Sequence, residues 1–227
     1  MEKIEFKDKS EEVKEKQALW DKTLESLNEI RDGLGLPMDE GIKETVAAFI
    51  VNGFPTTSSC EGHVEERFGE KVHNEPHIMI GIPEPAERFI GDTDIKKQII
   101  EKFGITIEDF DRWEHEDANK AYWQYIEEHN PPETPEYQEI KRKNEELFQS
   151  ISKILETFYE NRQATEDAKL VITRIGPAGE SYITNAKDHQ NPIKDSEVEQ
   201  HQRRLLIERK EVRDFTELLK ERFFGPK

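Results

Sequence analysis

Residues 53–63 read GFPTTSSCEGH and contain the single cysteine of the 227-residue chain. This stretch brings hydroxyls, one thiol, one carboxylate and one imidazole within a few positions, and a glycine lies near each end. Its β-branched and hydroxyl side chains predict a short strand that ends at Cys60, and the turn that follows is predicted at Glu61–Gly62–His63. We therefore expect any chemistry of this chain where that strand ends.

Further strands are predicted at two other places along the chain. His77–Ile82 is an apolar run between two prolines, which is typical of a short strand. Lys169–Ile175 and Glu180–Asn185 flank the turn sequence GPAG, a pattern that favours a hairpin. The polar segment 64–75 is predicted to be a loop.

Apolar residues at helical spacing account for most of the rest of the chain. The predicted helices cover residues 10–31, 39–52, 94–103, 106–129, 134–161 and 196–223. The fold class is therefore predicted as α+β, predominantly helical, with a small β-sheet and long amphipathic helices near both ends. We expect a single α+β domain over residues 1–227, with a long helical region at 134–163 and a C-terminal helix at 196–223.

The composition disfavours several classes of partner. The net charge is −17, from 33 basic and 50 acidic residues, and 37% of the residues are charged. Such acidity repels phosphate backbones and anionic lipid surfaces, so neither nucleic acid nor a membrane is an expected partner. A single cysteine excludes an internal disulfide, and no apolar run approaches the roughly 18 residues of a membrane span. The N-terminus lacks the apolar core of a signal peptide, so the predicted location is cytoplasmic.

One interpretation of the cysteine turn is a metal site. Cys60 and His63 have the Cys-x-x-His spacing that allows two ligands from one turn to reach one ion. His73 and His77 follow, and they would complete a tetrahedron if their strand lies beside that of Cys60. Zinc accepts sulfur and nitrogen ligands of these kinds. Three protein ligands plus water would form a catalytic site, and four would form a structural site.

A second interpretation makes Cys60 a nucleophile or a redox-active thiol. A neighbouring cation lowers the pKa of a thiol, and His63 or His77 would supply it. Glu61 would orient the imidazole, and the backbone N–H groups of the turn would stabilise an oxyanion. Cys60, Glu61 and His63 are therefore the candidate catalytic residues.

A third interpretation is that the turn is structural, with Gly62 giving the bend and His63 bonded to a carbonyl group. The protein would then be a non-catalytic helical interaction protein. Its long terminal helices would pair with each other or form a homodimer. Against this stands the number of polar groups in the stretch, because each of them needs a hydrogen-bond partner when it is buried.

The same residues resemble a known family. The sequence DEGI at residues 39–42, a short helix, Phe54 and the segment TTSSC-x-G at 56–62 are similar to the opening of the third-step methyltransferases of tRNA wybutosine synthesis. This resemblance covers about Asp39 to Gly62, and Glu61 and His63 stand where the family has serine and arginine. It implies a small α/β frame, S-adenosylmethionine as cofactor and tRNA as substrate. It also makes Ser58, Ser59 and Gly62 the candidate cofactor-binding residues.

Taken together, the sequence predicts a cytoplasmic protein with a metal or small-molecule site at the Cys-Glu-Gly-His turn. Hydrolysis or group transfer is the expected chemistry, with zinc preferred over S-adenosylmethionine as the cofactor. The alternatives are the non-catalytic interaction protein and the methyltransferase.

Overall fold

The computed structural model describes residues 9–31, 35–67, 69–111, 114–160, 162–186 and 192–225. Its fold is α+β and predominantly helical, which confirms the predicted class. The helices are α1 (Lys9–Asn28), α2 (Lys43–Val51), α3 (Asp92–Phe103), α4 (Ile107–Asp111), α5 (Glu116–His129), α6 (Pro135–Tyr159) and α7 (Val198–Phe224). The strands are β1 (Thr56–Cys60), β2 (His63–Arg67), β3 (Glu70–Asn74), β4 (His77–Ile80), β5 (Leu170–Ile175) and β6 (Glu180–Asn185). Short 3-10 turns at Glu40–Ile42 and Asp195–Glu197 lead into α2 and α7.

The chain divides into two compact units. One comprises Met1–Ile82 together with Asn144–Lys227, and the other comprises Pro83–Lys143. The single domain over residues 1–227 stays a prediction. The long helical region and the C-terminal helix are present as α6 and α7, although residue 161 near the predicted end of the first lies outside the described residues.

The first unit contains an antiparallel sheet with strand order β1-β4-β6-β5. The register places Cys60 of β1 directly opposite His77 of β4, so the two predicted strands do pair. β1 is an edge strand of this sheet, and the end of β1 leads directly into the turn at residues 61–62. The sheet therefore fixes where the cysteine turn begins.

Residues 64–75 form a hairpin, so the prediction of a loop was wrong. β2 and β3 pair antiparallel from His63 opposite Asn74 to Arg67 opposite Glu70. Gly69 supplies the positive φ of the connection at +81°. The sequence hid this hairpin because its strands are largely polar, and the apolar alternation that indicates a half-buried strand is missing.

The core of the first unit lies between one face of the sheet and four helices. Alternate residues of the sheet point into it, as in β4, where Ile78 and Ile80 are buried while His77 and Met79 are partly exposed. The helices α1, α2, α6 and α7 contribute the facing side chains, among them Trp20, Leu27, Val46, Phe49, Ile151, Phe158, Phe215 and Leu219. The C-terminal helix is thus part of the core that carries the sheet.

The second unit has its own small core, formed mainly by α3, α4 and α5. One helix was predicted over 106–129, but two are present, because His115 is extended at φ −115° and ψ 90°. Its ring nitrogen accepts a hydrogen bond from the Ala118 N–H at 3.3 Å and so caps α5. Residues 112–113 lie outside the described residues.

Two leucines of α7 test the contribution of this helix to the core. Leu219 is 0% exposed and Leu206 is 62% exposed. We expect Leu219→Ala to lower the free energy of unfolding by about 2–5 kcal/mol, because it removes buried methyl groups and leaves a cavity. Leu206→Ala is the matched control and is expected to change it by less than about 0.5 kcal/mol. Urea unfolding followed by circular dichroism measures both, and equal effects would contradict the packing described here.

Candidate functional site

Asp39 lies immediately before the 3-10 turn that opens α2, where an aspartate usually caps the helix. Its carboxylate makes no capping hydrogen bond. It points instead to the cysteine turn, where Oδ2 lies 3.0 Å from His63 Nε2 and accepts from the Glu61 N–H at 3.3 Å. Burial alone would raise the pKa of Asp39, but the hydrogen bonds from His63 and Glu61 outweigh burial and lower the pKa. Asp39 is therefore an ionised carboxylate beside the histidine.

Cys60 ends β1 beside this pair. Its sulfur accepts hydrogen bonds from the Gly62 N–H at 3.3 Å and from the Asn74 side-chain amide at 3.4 Å. Burial raises the pKa of the thiol, and the negative charges of Asp39 and Glu65 raise it further against the opposing effect of the Gly62 N–H. Without a cation, Cys60 is therefore a protonated thiol at neutral pH.

Three potential metal ligands meet here. The sulfur of Cys60, a carboxylate oxygen of Asp39 and a ring nitrogen of His63 all lie within 4.8 Å of one another. Tetrahedral zinc with bonds of about 2.0–2.3 Å holds its ligand atoms about 3.3–3.8 Å apart. The observed spacing is compatible with that geometry after small side-chain adjustments. A metal site needs three or more aspartate, glutamate, histidine or cysteine side chains close together. Among the described residues, only these three side chains meet that condition.

Glu61, a predicted catalytic residue, holds the turn in place. One carboxylate oxygen accepts from the Gly41 N–H at 2.8 Å, and the other pairs with Arg209 of α7 at 2.9 Å. The Arg209 guanidinium also donates to the carbonyl oxygens of Glu61 at 3.0 Å and Gly62 at 2.6 Å. We call this set of contacts the Glu61–Arg209 clamp. The carboxylate that contacts the imidazole of His63 is that of Asp39, whereas Glu61 was predicted to orient it.

Two glycines allow the clamp to close. A Cβ atom at Gly41 would collide with the Glu61 carboxylate. Gly62 has φ +82°, and a Cβ there would lie 2.7 Å from both Pro76 and Leu205. The predicted cofactor residue Gly62 is thus required for close packing against α7, and its N–H serves the sulfur of Cys60.

His73 lies in a different environment from the one predicted. Its side chain is 0% exposed, and its Nε2 lies 2.8 Å from Oε2 of Glu208, which is also 0% exposed. His201 Nδ1 approaches His73 Nδ1 at 3.1 Å, and Arg204 Nε donates to Glu208 at 2.6 Å. Burial would raise the pKa of Glu208, but the hydrogen bonds from His73 and Arg204 leave it below its ordinary value. His73 therefore belongs to a buried ionic cluster with α7, and the cysteine cluster does not include it.

His77 also lies outside the cysteine cluster, although its backbone is opposite Cys60. Its Nδ1 is 3.2 Å from the Glu75 carbonyl oxygen, and its ring packs on Tyr182 with centroids 5.2 Å apart. Of the four predicted metal ligands, the structure brings Cys60 and His63 together and adds Asp39.

A pocket of about 430 Å³ opens beside the cluster. The whole of β1 forms one wall, so the predicted cofactor-binding residues Ser58 and Ser59 line it together with Cys60. The opposite side is formed by the end of α1, residues 36–39 and α2. Its volume falls within the range of about 300–1,000 Å³ that is usual for small-molecule sites.

Comparison with protein-family models, with curated proteins and with solved structures gave no match for this chain. The resemblance to the tRNA wybutosine-synthesis methyltransferases therefore stays a prediction. In the described part of the chain, no helix is both long and apolar enough to cross a membrane.

Sequence reasoning missed two residues of the site, Asp39 and Arg209. Asp39 precedes Cys60 by 21 positions, and only the family resemblance had drawn attention to it. Arg209 lies in a charged segment that is typical of a solvated helix, where Arg203 and Glu199 do form an exposed pair. No local signal distinguishes Arg209 from its neighbours, because its partners lie 147 and 148 positions away.

The clamp predicts a large effect from one arginine of α7. We expect Arg209→Met to lower the free energy of unfolding by about 1–3 kcal/mol, since it leaves the turn carbonyls and Glu61 without their charged donor. Alkylation of Cys60 by iodoacetamide should also become faster in this variant, because the turn that shields the thiol loosens. Arg203→Met on the same helix is the control and should change neither quantity. An unchanged alkylation rate in Arg209→Met would contradict the role of the clamp.

The buried cluster of Glu208 predicts a pH dependence of stability. Because the folded-state pKa of Glu208 is lowered, its contribution is present above the unfolded pKa of about 4.5 and is lost as the pH falls through the folded-state value. We expect Glu208→Gln to be less stable than wild type by roughly 3 kcal/mol at pH 7. That difference should shrink below pH 4.5. Urea unfolding between pH 7 and pH 3 tests this, with Glu199→Gln as a control whose curve should parallel wild type. A difference that stays constant with pH would contradict it.

Proposed function

We propose that this protein binds one zinc ion through Asp39, Cys60 and His63, and that the centre serves hydrolysis or group transfer on a ligand held in the adjoining pocket. The observation that carries the proposal is the convergence of a thiol, an imidazole and a carboxylate within 4.8 Å. Sulfur, nitrogen and carboxylate oxygen are the three kinds of ligand that zinc takes in proteins.

The surroundings of each ligand support a metal. Hydrogen bonds from the Gly62 N–H and Asn74 to the sulfur are of the kind that stabilise a metal-bound thiolate. Because the pKa of the free Cys60 thiol is raised, a coordinating metal would have to displace its proton, and binding would strengthen as the pH rises. A cation would also offset the negative charge that Asp39 places beside the sulfur once the thiol is deprotonated. The group would be stable in a reducing compartment such as the cytoplasm, where thiols stay free.

Three protein ligands leave a fourth position of a tetrahedral ion for water or substrate. Asp39 and Cys60 both line the pocket, so that position would be reached from there. Zinc supplies a polarised carbonyl or an activated water in such sites. This is why hydrolysis or group transfer is proposed. A metal-free nucleophilic cysteine has less support, since the thiol is protonated at neutral pH and Glu61 does not contact the imidazole in the way predicted.

A second candidate is a non-catalytic protein in which the turn only joins α7 to the sheet. The Glu61–Arg209 clamp favours it, because the clamp links the turn to α7 and to Gly41 without any ligand. The long helices α1 and α7 would then provide the surface for a partner. The methyltransferase alternative rests on the resemblance at residues 39–62, with Ser58 and Ser59 in the pocket wall as candidate contacts to S-adenosylmethionine.

Metal analysis tests the zinc proposal. We expect protein purified without chelator to contain about one equivalent of zinc by plasma mass spectrometry. Asp39→Asn, Cys60→Ser and His63→Gln should each reduce this content strongly, because a ligand is lost. His77→Gln is the matched control, since this histidine lies outside the cluster, and it should keep the metal.

Circular dichroism of each variant shows whether loss of metal reflects loss of fold. Absence of zinc from wild type, together with no uptake from added zinc chloride, would remove the metal proposal and favour the structural turn. Loss of zinc in His77→Gln would instead support the ligand set predicted from the sequence.

A further inference from the structure

The pocket beside the cluster has an unusual wall, because it is formed by the edge of a sheet. β1 pairs with β4 on one side, and within the described residues no strand pairs with its other side. All five residues of β1 line the pocket. The side of the strand that faces the pocket therefore presents backbone N–H and C=O groups that can pair with another extended chain.

Natural proteins usually protect such an edge with lysine, proline or an inward-pointing charge. From Thr56 to Cys60, β1 contains only threonine, serine and cysteine, and its pairing with β4 has one irregularity, between Thr56 and Ser58. No charged side chain of β1 opposes a neighbouring strand, which would lie about 4.8 Å away. The edge from Ser58 to Cys60 is therefore the part best suited to pair with another chain.

Apolar side chains line one part of the same opening, beside the charged residues Arg31 and Asp39. Leu27 and Val46 are buried at 1% exposure, whereas Ile30, Leu36 and Ile50 are 46%, 57% and 37% exposed. Three of the large apolar residues that the protein leaves exposed are therefore gathered at one pocket. Clustered exposed apolar side chains mark binding sites more often than single ones do.

We propose that this pocket binds an extended peptide segment, which adds to the edge of β1 as a further strand and places apolar side chains against Ile30, Leu36 and Ile50. Backbone hydrogen bonds to the strand edge would give affinity, and the apolar contacts at alternate positions would give specificity. A fatty acyl chain would fill the apolar side but would leave the backbone edge unpaired. The combination of both features in one pocket favours a peptide.

This inference names a peptide as the class of ligand for the proposed zinc centre. It rests on the proposed function only in that Cys60 and Asp39, two of the proposed zinc ligands, line the same pocket. Strand addition itself needs no metal. Binding is therefore expected in zinc-loaded wild type and in wild type stripped of metal by a chelator alike, so loss of the zinc proposal would leave the peptide proposal standing.

A phage-displayed library of random pentapeptides, matched to the five residues of β1, supplies the probe. The most enriched sequence is synthesised with a fluorescent label, and its binding is measured by fluorescence anisotropy. We expect Leu36→Ser to weaken binding at least about tenfold, since it removes an apolar contact at the mouth of the pocket. Leu206→Ser is the control, because Leu206 is similarly exposed at 62% but lies on α7 outside the pocket.

Two N-methylated forms of the same peptide test strand addition directly. Methyl groups on one set of alternate amides would block the hydrogen bonds to β1, and methyl groups on the other set would point away from it. We expect one form to lose binding at least about tenfold and the other to bind nearly as well as the parent. Equal effects of the two forms, equal binding by Leu36→Ser, or no enrichment from the library would overturn the proposal. Displacement of the peptide by dodecanoate, with no effect of N-methylation, would identify an acyl site instead.

Discussion

The contact between the Arg209 guanidinium and the turn at residues 61–62 connects most of what the structure shows about this protein. One cationic group donates to two carbonyl oxygens and one carboxylate, and these are the polar groups that the turn exposes toward α7. Hydrogen bonds to charged groups contribute more than neutral ones, so the turn is held firmly even though Arg209 keeps 32% of its side chain exposed. Through Glu61 the same contact reaches Gly41, and so the segment that carries Asp39 is held beside Cys60.

The chain has far more acidic than basic residues, yet several of its arginines form ion pairs with buried or partly buried carboxylates. Arg204 pairs with the buried Glu208, and Arg162 pairs with Glu211, whose side chain is 8% exposed, and with Asp214. A buried carboxylate without a cation would cost several kcal/mol, so these arginines are required where they lie. The segment that reads as a solvated charged helix is therefore solvated on one face only, and the excess of negative charge remains on the surface.

The sequence predicted the part of this structure that local patterns determine. Cys60 was predicted to end one strand and His77 to begin another, and the two residues lie opposite each other. His63 was predicted to lie in the turn, and it is the first residue of β2. The partner of each site residue was harder to predict. His73 was assigned to zinc because of its spacing, but it pairs with Glu208, which lies 135 positions away. Asp39 was read as the start of a helix, and its contact with His63 depends on tertiary packing that no window of sequence contains. The polar hairpin β2-β3 was not predicted for a related reason. Its strands pair through their backbones, and backbone pairing needs no alternation of apolar side chains in the sequence.

The position of Asp39 carries an argument about function that packing alone does not supply. A carboxylate before a helix normally stabilises it by about 0.5–2 kcal/mol when it caps the free N–H groups. In this protein that carboxylate forgoes the cap and approaches an imidazole and a thiol instead. Asp39 also accepts from the Glu61 N–H, so it adds to the contacts by which Arg209 and Gly41 hold the turn. The hydrogen bonds from His63 and Glu61 lower the pKa of Asp39, so the site is stable with an ionised carboxylate. The same charge raises the pKa of the Cys60 thiol, and a cation bound by the three side chains would reverse that effect and release the thiol proton. The electrostatic consequence of a metal at the proposed centre is therefore a binding affinity that rises with pH.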